Sequence, residues 1–86
     1  MQKIRRRMSK YELEQIVDGH ELWLNSAKTM GKQAKFVGYD LRDFDHRDRP
    51  LAYSIFKKTC LRSSDFNDSV LEYSKFRSCD LREADY

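Results

Sequence analysis

The sequence predicts one small domain in which an amphipathic helix leads into a repeat array. Three observations carry that prediction. The chain has 86 residues and 10.3 kDa, which is room for one domain and little more. Ser9-Lys10-Tyr11-Glu12 has the form of a helix-capping box and precedes an apolar stripe. From Phe36 onward, an apolar residue returns at every fifth position but one, a period that neither a helix nor a strand possesses.

Composition sets the outer limits. Hydrophobic residues make up 40% and charged residues 36%, enough apolar material for a small core and too much for a disordered tail. No apolar run is long enough for a transmembrane helix. The start, MQKIRRRMSK, has basic residues with no apolar stretch behind them, unlike a secretory signal. Cys60 and Cys79 cannot build a disulfide framework, so free packed thiols and a reducing, cytoplasmic setting are expected. Cys and His are too few and wrongly spaced for a structural zinc site. There is no nucleophile–base constellation, phosphate loop or paired carboxylate set, so no enzyme and no cofactor is expected.

The charge is unevenly placed. The total is +3, and residues 1–34 hold seven basic residues against four acidic ones, so the remaining chain is neutral. A basic arm at Lys3–Arg7 is available for nucleic acid or an acidic partner, unless it is only a frayed, solvated terminus. Leu13, Ile16, Val17, His20 and Leu24 then fall at spacings of three and four, predicting a helix over about 9–25. Gly19 weakens its middle by roughly 1 kcal/mol relative to Ala. His20 lies near the apolar stripe as a packed, hydrogen-bonded ring, and Asn25-Ser26 and Gly31 mark a loop.

The repeat runs Phe36, Leu41, His46, Leu51, Phe56, Leu61, Phe66, Leu71, Phe76, Leu81, Tyr86, with His46 alone breaking the apolar series. Two residues ahead of each stands Ala34, Tyr39, Phe44, Arg49, Ser54, Thr59, Ser64, Ser69, Ser74, Cys79 or Ala84, uniformly small from Ser54 onward. The motif of a small residue, Asp or Asn, Leu or Phe, and two variable positions reads Ser64-Asp65-Phe66-Asn67-Asp68, Cys79-Asp80-Leu81-Arg82-Glu83 and Ala84-Asp85-Tyr86. On these residues, 34–86 resembles a pentapeptide-repeat protein. The lead-in from His20 to Ser26 and Gly31 to Ala34 resembles the segment before the repeats in bacterial and phage members. Departures cluster early, at Tyr39, Phe44, His46, Arg49 and Pro50, where an irregular geometry is expected.

The resemblance implies a mainly β fold: a right-handed quadrilateral β-helix of about two and a half coils behind an N-terminal α-helix. Residues 1–33 would form the basic arm and capping helix, and 34–86 the solenoid, in one compact domain. In such a fold each coil stabilises its neighbours, and Ala at Phe66 or Leu61 should cost about 2–5 kcal/mol. Residues twenty apart would share a face. One face then presents Lys35, Lys57, Lys58, Lys75 and Arg77; the opposite one presents Asp45, Asp48, Asp65, Asp68 and Asp85 against Arg47. A second face mixes Asp40, Asp43, Asp80 and Glu83 with Arg42, Arg62 and Arg82, and a fourth stacks Tyr53 on Tyr73 beside Glu72 and Arg49. Asp before the central residue is a family consensus, so Asp48 and Asp68 are the more informative acids.

Three functions follow as expectations. The first is a non-enzymatic inhibitor whose acidic face (Asp45, Asp48, Asp65, Asp68, Asp85) mimics nucleic acid toward a DNA-handling or anti-phage defence complex, like the family's gyrase-binding members or an anti-CRISPR protein. The second inverts the sign, with the basic stripe binding nucleic acid or an acidic partner. The third is a structural or oligomerisation module. The helix is expected to cover the first coil with Leu13, Ile16, Val17 and Trp23. A homodimer is expected through Phe76, Leu81 and Tyr86 at the other end.

Overall fold

A computed structural model of the chain describes residues 6–85. It contains β1 (Arg6–Arg7), α1 (Lys10–Asn25), β2 (Lys35–Val37), β3 (Tyr39–Asp40), β4 (Ile55–Lys57) and β5 (Lys75–Arg77). The strands form two parallel sheets, ordered β1-β3 and β2-β4-β5. No helix among the described residues is long and apolar enough to cross a membrane.

The helix begins where its cap dictates. Ser9 has extended backbone, and its hydroxyl accepts the Glu12 N–H at 3.1 Å, one of the four donors a helix start leaves unpaired. The reciprocal arm of the capping box is not made; the Glu12 carboxylate instead takes the Arg6 guanidinium at 3.2 Å. Leu13, Val17 and His20 are buried, whereas Ile16 and Trp23 are only partly so.

From residue 34 the backbone pairs with itself in a register offset by twenty. Lys35 pairs Ile55 and Ile55 pairs Lys75; further bridges join Asp40–Cys60–Asp80, Asp45–Asp65–Asp85 and Pro50–Val70. The bridges recur every five residues, so there are four ladders per twenty-residue circuit. We refer to 34–53, 54–73 and 74–85 as the first, second and third circuits. Left-handed backbone recurs with the same period, at Gly38, Asp43, Asp48, Tyr53, Lys58, Ser63, Asp68, Tyr73, Ser78 and Glu83, with φ between 52° and 73°. Each such residue lies two positions after a central one and turns the chain between ladders.

The central residues fill the interior. Phe36, Leu41, His46, Leu51, Phe56, Leu61 and Phe66 are at most 2% exposed. Phe36, Phe56 and Phe76 stack with centroids 4.8 Å apart, the spacing of hydrogen-bonded strands. Phe56 and Phe66 meet edge to face at 6.2 Å and 90°, a favourable geometry for aromatic pairs. The small series supplies hydroxyls between circuits: Thr59 donates to the Phe36 carbonyl at 3.1 Å, Ser64 to Leu41 at 2.8 Å and Ser74 to Leu51 at 2.8 Å.

The early departures from the repeat leave its register intact, contrary to expectation. His46 lays its ring on Phe66 at 4.6 Å and 17°, and so takes a place in an aromatic stack. At Pro50 the ladder continues, with the Val70 N–H donating to the Arg49 carbonyl at 3.0 Å and the Leu51 N–H to Val70 at 2.9 Å. The Leu51 N–H is, however, shared with the Arg49 carbonyl at 3.1 Å, a local tightening about Pro50. In the second circuit the N–H of Ile55 donates to Ala34 and that of Cys60 to Tyr39. By this pattern the N–H that proline lacks would point to residue 29, ahead of the repeat. Pro50 therefore lies on the edge of the ladder, where its missing donor costs nothing.

Tyr39, Phe44 and Arg49, too large for the usual small site, all lie in the first circuit, and each meets the N-terminal segment. Arg6 lies over the Tyr39 ring at 5.6 Å, Arg7 over Phe44 at 4.4 Å, and Glu14 pairs Arg49. The fourth site, Ala34, gives its N–H to His20 Nδ1 at 2.9 Å. Met8, absent from the expected core, is 1% exposed beneath this cover.

Candidate binding faces

The acidic line is built on backbone turns. The bridges put Asp45, Asp65 and Asp85 one above another. Asp45 Oδ1 accepts the Arg47 N–H at 3.0 Å, and Asp65 Oδ1 accepts the Asn67 N–H at 3.0 Å, the Asx turn that Asp favours. The next side chain then crosses circuits. Arg47 binds Asp45 at 3.0 Å and reaches Asp65 at 3.6 Å; Asn67 donates to Asp65 at 2.9 Å and to Asp85 at 2.8 Å. The result is a run Asp45–Arg47–Asp65–Asn67–Asp85. The Arg47 hydrogen bonds hold the Asp45 carboxyl well below the ordinary carboxylate range. Asp48 and Asp68 are exposed at left-handed corners, with φ of 58° and 60°. Asp tolerates that conformation better than most residues, so these two acids also have a local reason to be present.

The mixed face pairs most of its charges internally. Asp40 binds Arg42 at 2.9 Å, Asp80 binds Arg82 at 2.7 Å, and Arg62 binds Glu83 at 3.0 Å. Burial would push the Asp40 carboxyl up, but the Arg42 hydrogen bonds prevail and lower it. The Arg82 hydrogen bonds lower Asp80 in the same way.

The basic line lies half a period from the acidic one. Lys35 and Lys75 share one ladder with Ile55 between them, and Lys57 and Arg77 pair side by side in the next register. Lys58 occupies the following corner, with φ of 52°. Lys35, Lys57, Lys75 and Arg77 are exposed, and none forms an ion pair among the described residues. The two charged lines thus differ in kind: the acids are tied into the backbone and these cations are not.

Between the two lines stand Tyr53 and Tyr73, stacked at 5.0 Å and 17°. The sequence pattern places this pair, but not what continues it. Lys28 Nζ lies 4.7 Å from the Tyr53 centroid and 5.4 Å from that of Trp23, which stacks on His20. Lys28 belongs to the loop after α1, outside the repeat, so no period points to it.

The basic arm is not a free tentacle where it is described. Arg6 and Arg7 form β1 on β3. Arg7 also donates to the Arg42 carbonyl at 2.7 Å and pairs Asp40 at 3.4 Å. Both cations therefore serve the cover of the first circuit, while Lys3 and Arg5 lie outside the described residues. Of the expected dimer residues, Phe76 and Leu81 are half-buried, against buried Phe56 and Leu61 in the circuit before, and Tyr86 lies outside the described residues. Cys60 and Cys79 are free thiols, and Cys79 Sγ donates to the Phe56 carbonyl at 3.3 Å. No protein-family model, no curated protein and no solved structure matches the chain.

Proposed function

We propose that the chain is a non-enzymatic binding module of the pentapeptide-repeat kind, a right-handed quadrilateral β-helix behind a helical cap. Its acidic face occupies a basic groove of a nucleic-acid-handling or anti-phage defence complex and inhibits it. The observation that supports this reading is the in-register line Asp45, Asp65, Asp85, held at ladder spacing by Arg47 and Asn67. Fixed carboxylates meet a phosphate-binding groove without first being ordered, so less binding energy is lost to immobilising side chains. Asp48 and Asp68 add two exposed charges beside the line. The test uses Asp48→Asn with Asp68→Asn, because Asn keeps the left-handed corner and removes only the charge. The native chain should capture a partner that duplex DNA displaces, and the double variant should not capture it. Retention by the variant, or indifference to DNA, would refute the acidic-face mechanism.

A second reading has its own observation. Lys35, Lys57, Lys75 and Arg77 lie together without ion pairs among the described residues, and no backbone role accounts for them. On this reading the basic face binds nucleic acid through its phosphates. Retarded migration of random-sequence DNA that weakens with salt supports it, and no retardation at low salt retires it. In either case the chain acts as a homodimer through a second copy stacked on the third circuit, where Phe76 and Leu81 are less covered than their counterparts.

A further inference from the structure

Tyr73 is 72% exposed and Tyr53 38%, and both sit at corners with φ of 61° and 64°. Such corners cost an ordinary side chain about 1–2 kcal/mol. Neither ring fills the core, so burial does not explain why two tyrosines stand in register there. Tyr53 stands between Tyr73 and Lys28, and Tyr73 is the more open of the two rings. Val70, 49% exposed, lies on the same side of the circuit. Two residues beyond Tyr73 the chain enters the basic line at Lys75, which shares its strand with Arg77, and Arg77 pairs Lys57 across the ladder. One acid, Glu72, stands beside the tyrosine.

We infer that this surface binds single-stranded nucleic acid, with a base stacked on the open face of Tyr73 and the backbone phosphates on Lys57, Lys75 and Arg77. Exposed aromatic rings beside a line of cations are what a single strand requires, since its bases have free π-faces and its phosphates repeat along the chain. A duplex offers the cations the same phosphates but withholds its bases, so it cannot use Tyr73. The inference rests on the second reading above and adds strand selectivity to it.

Fluorescence anisotropy of labelled oligo(dT) and of a duplex of equal length, titrated with the full chain at low salt, tests it. The native chain should prefer oligo(dT). Tyr73→Ala should weaken oligo(dT) binding by about tenfold and leave the duplex unaffected, while Tyr73→Phe should retain the preference. Lys57→Glu with Lys75→Glu should abolish binding to both. Tyr73 is solvated, so its variants should keep the circular dichroism of the native chain. Equal binding of both nucleic acids, with Tyr73→Ala silent, overturns the stacking inference and leaves the basic-face reading standing. No binding of either at low salt overturns both.

Discussion

At His46 the repeat places an imidazole where the other described central residues, from Phe36 to Leu81, are apolar. The ring stacks on Phe66 and presents its edge to Phe44, and its buried Nε2 has no hydrogen-bond partner among the described residues. Stacking is thus gained at the cost of an unsatisfied polar atom, a loss of about 1–3 kcal/mol. Burial, aided by Arg49, pushes His46 down to about 4, with Asp45 and Asp65 opposing. Burial also lowers His20, against its Ala52 hydrogen bond. In the unfolded chain both titrate near 6.5, so below that pH the unfolded state binds protons that the folded state refuses, for His46 down to about 4. Stability is therefore full above 6.5 and falls as pH drops through this window, by up to about 3 kcal/mol for His46. The Asp carboxylates lowered by arginine contribute only further down, below their unfolded value near 3.8. His46→Phe, read by urea unfolding at several pH values, should raise stability at pH 7 and flatten most of the slope; an unchanged slope would refute the assignment. The corners make a second demand. Ser63 has φ of 59°, so Ser63→Val should cost more than about 2 kcal/mol, whereas Ser63→Gly should stay within about 1 kcal/mol of the native chain. This demand is largely hidden in the sequence, because apart from Gly38 the corner position is shared by Tyr, Lys, Ser, Asp and Glu.

Among the elements, α1 and β1 act as the cover of the first circuit, and His20 is the main fastener. Its Nε2–H donates to the Ala52 carbonyl at 2.7 Å while Nδ1 accepts the Ala34 N–H at 2.9 Å, which requires the neutral ring. His20→Ala strands both backbone groups, and a loss of about 3–5 kcal/mol is expected in urea unfolding at pH 7. Glu14→Gln removes the charge facing Arg49, a pair about one-third exposed on each side, and should cost less than about 1 kcal/mol. A comparable loss from the two variants would mean that His20 is not the fastener. The helix was legible because Ser9 and the apolar spacing are local signals. The twenty-residue register was legible too, because the fivefold period holds without slipping from Phe36 to Leu81. What could not be read was the meaning of Tyr39, Phe44 and Arg49. They look like errors in the repeat, and become fitted contacts only once Arg6, Arg7 and Glu14 are known to lie ahead of them. Of the candidate faces, the charges and the Tyr53–Tyr73 pair followed from the register. Lys28 did not, since a loop outside the repeat brings it there.

Across the whole molecule, cover falls along the axis from the first circuit to the third. Ala34, Phe36 and Leu41 are at most 1% exposed, whereas Leu71, Phe76 and Leu81 are only half-buried. The hydroxyl fasteners thin out from the second circuit to the third, where Ser74 keeps its bond to Leu51 but Cys79 and Ala84 stand in the places of Thr59 and Ser64. In a stacked array, stability is a sum of each unit's own term and its contacts with neighbours, and regions with less burial open more readily. Amide hydrogen exchange should therefore show protection falling from Cys60 and Leu61 to Asp80 and Leu81. Phe56→Leu should destabilise the chain by more than Phe76→Leu, because Phe56 is stacked between two rings and Phe76 follows only one. Assembly makes the same measurement informative about the proposed homodimer. If a second copy covers the third circuit, protection of Lys75–Arg77 and Asp80 should rise with protein concentration while that of Phe36–Leu41 stays constant. Light scattering at tens of micromolar should then report twice the chain mass, and Phe76→Lys should return it to a monomer. Protection that is the same at every concentration, together with the mass of a single chain, would rule out the dimer and leave the gradient as a property of one molecule.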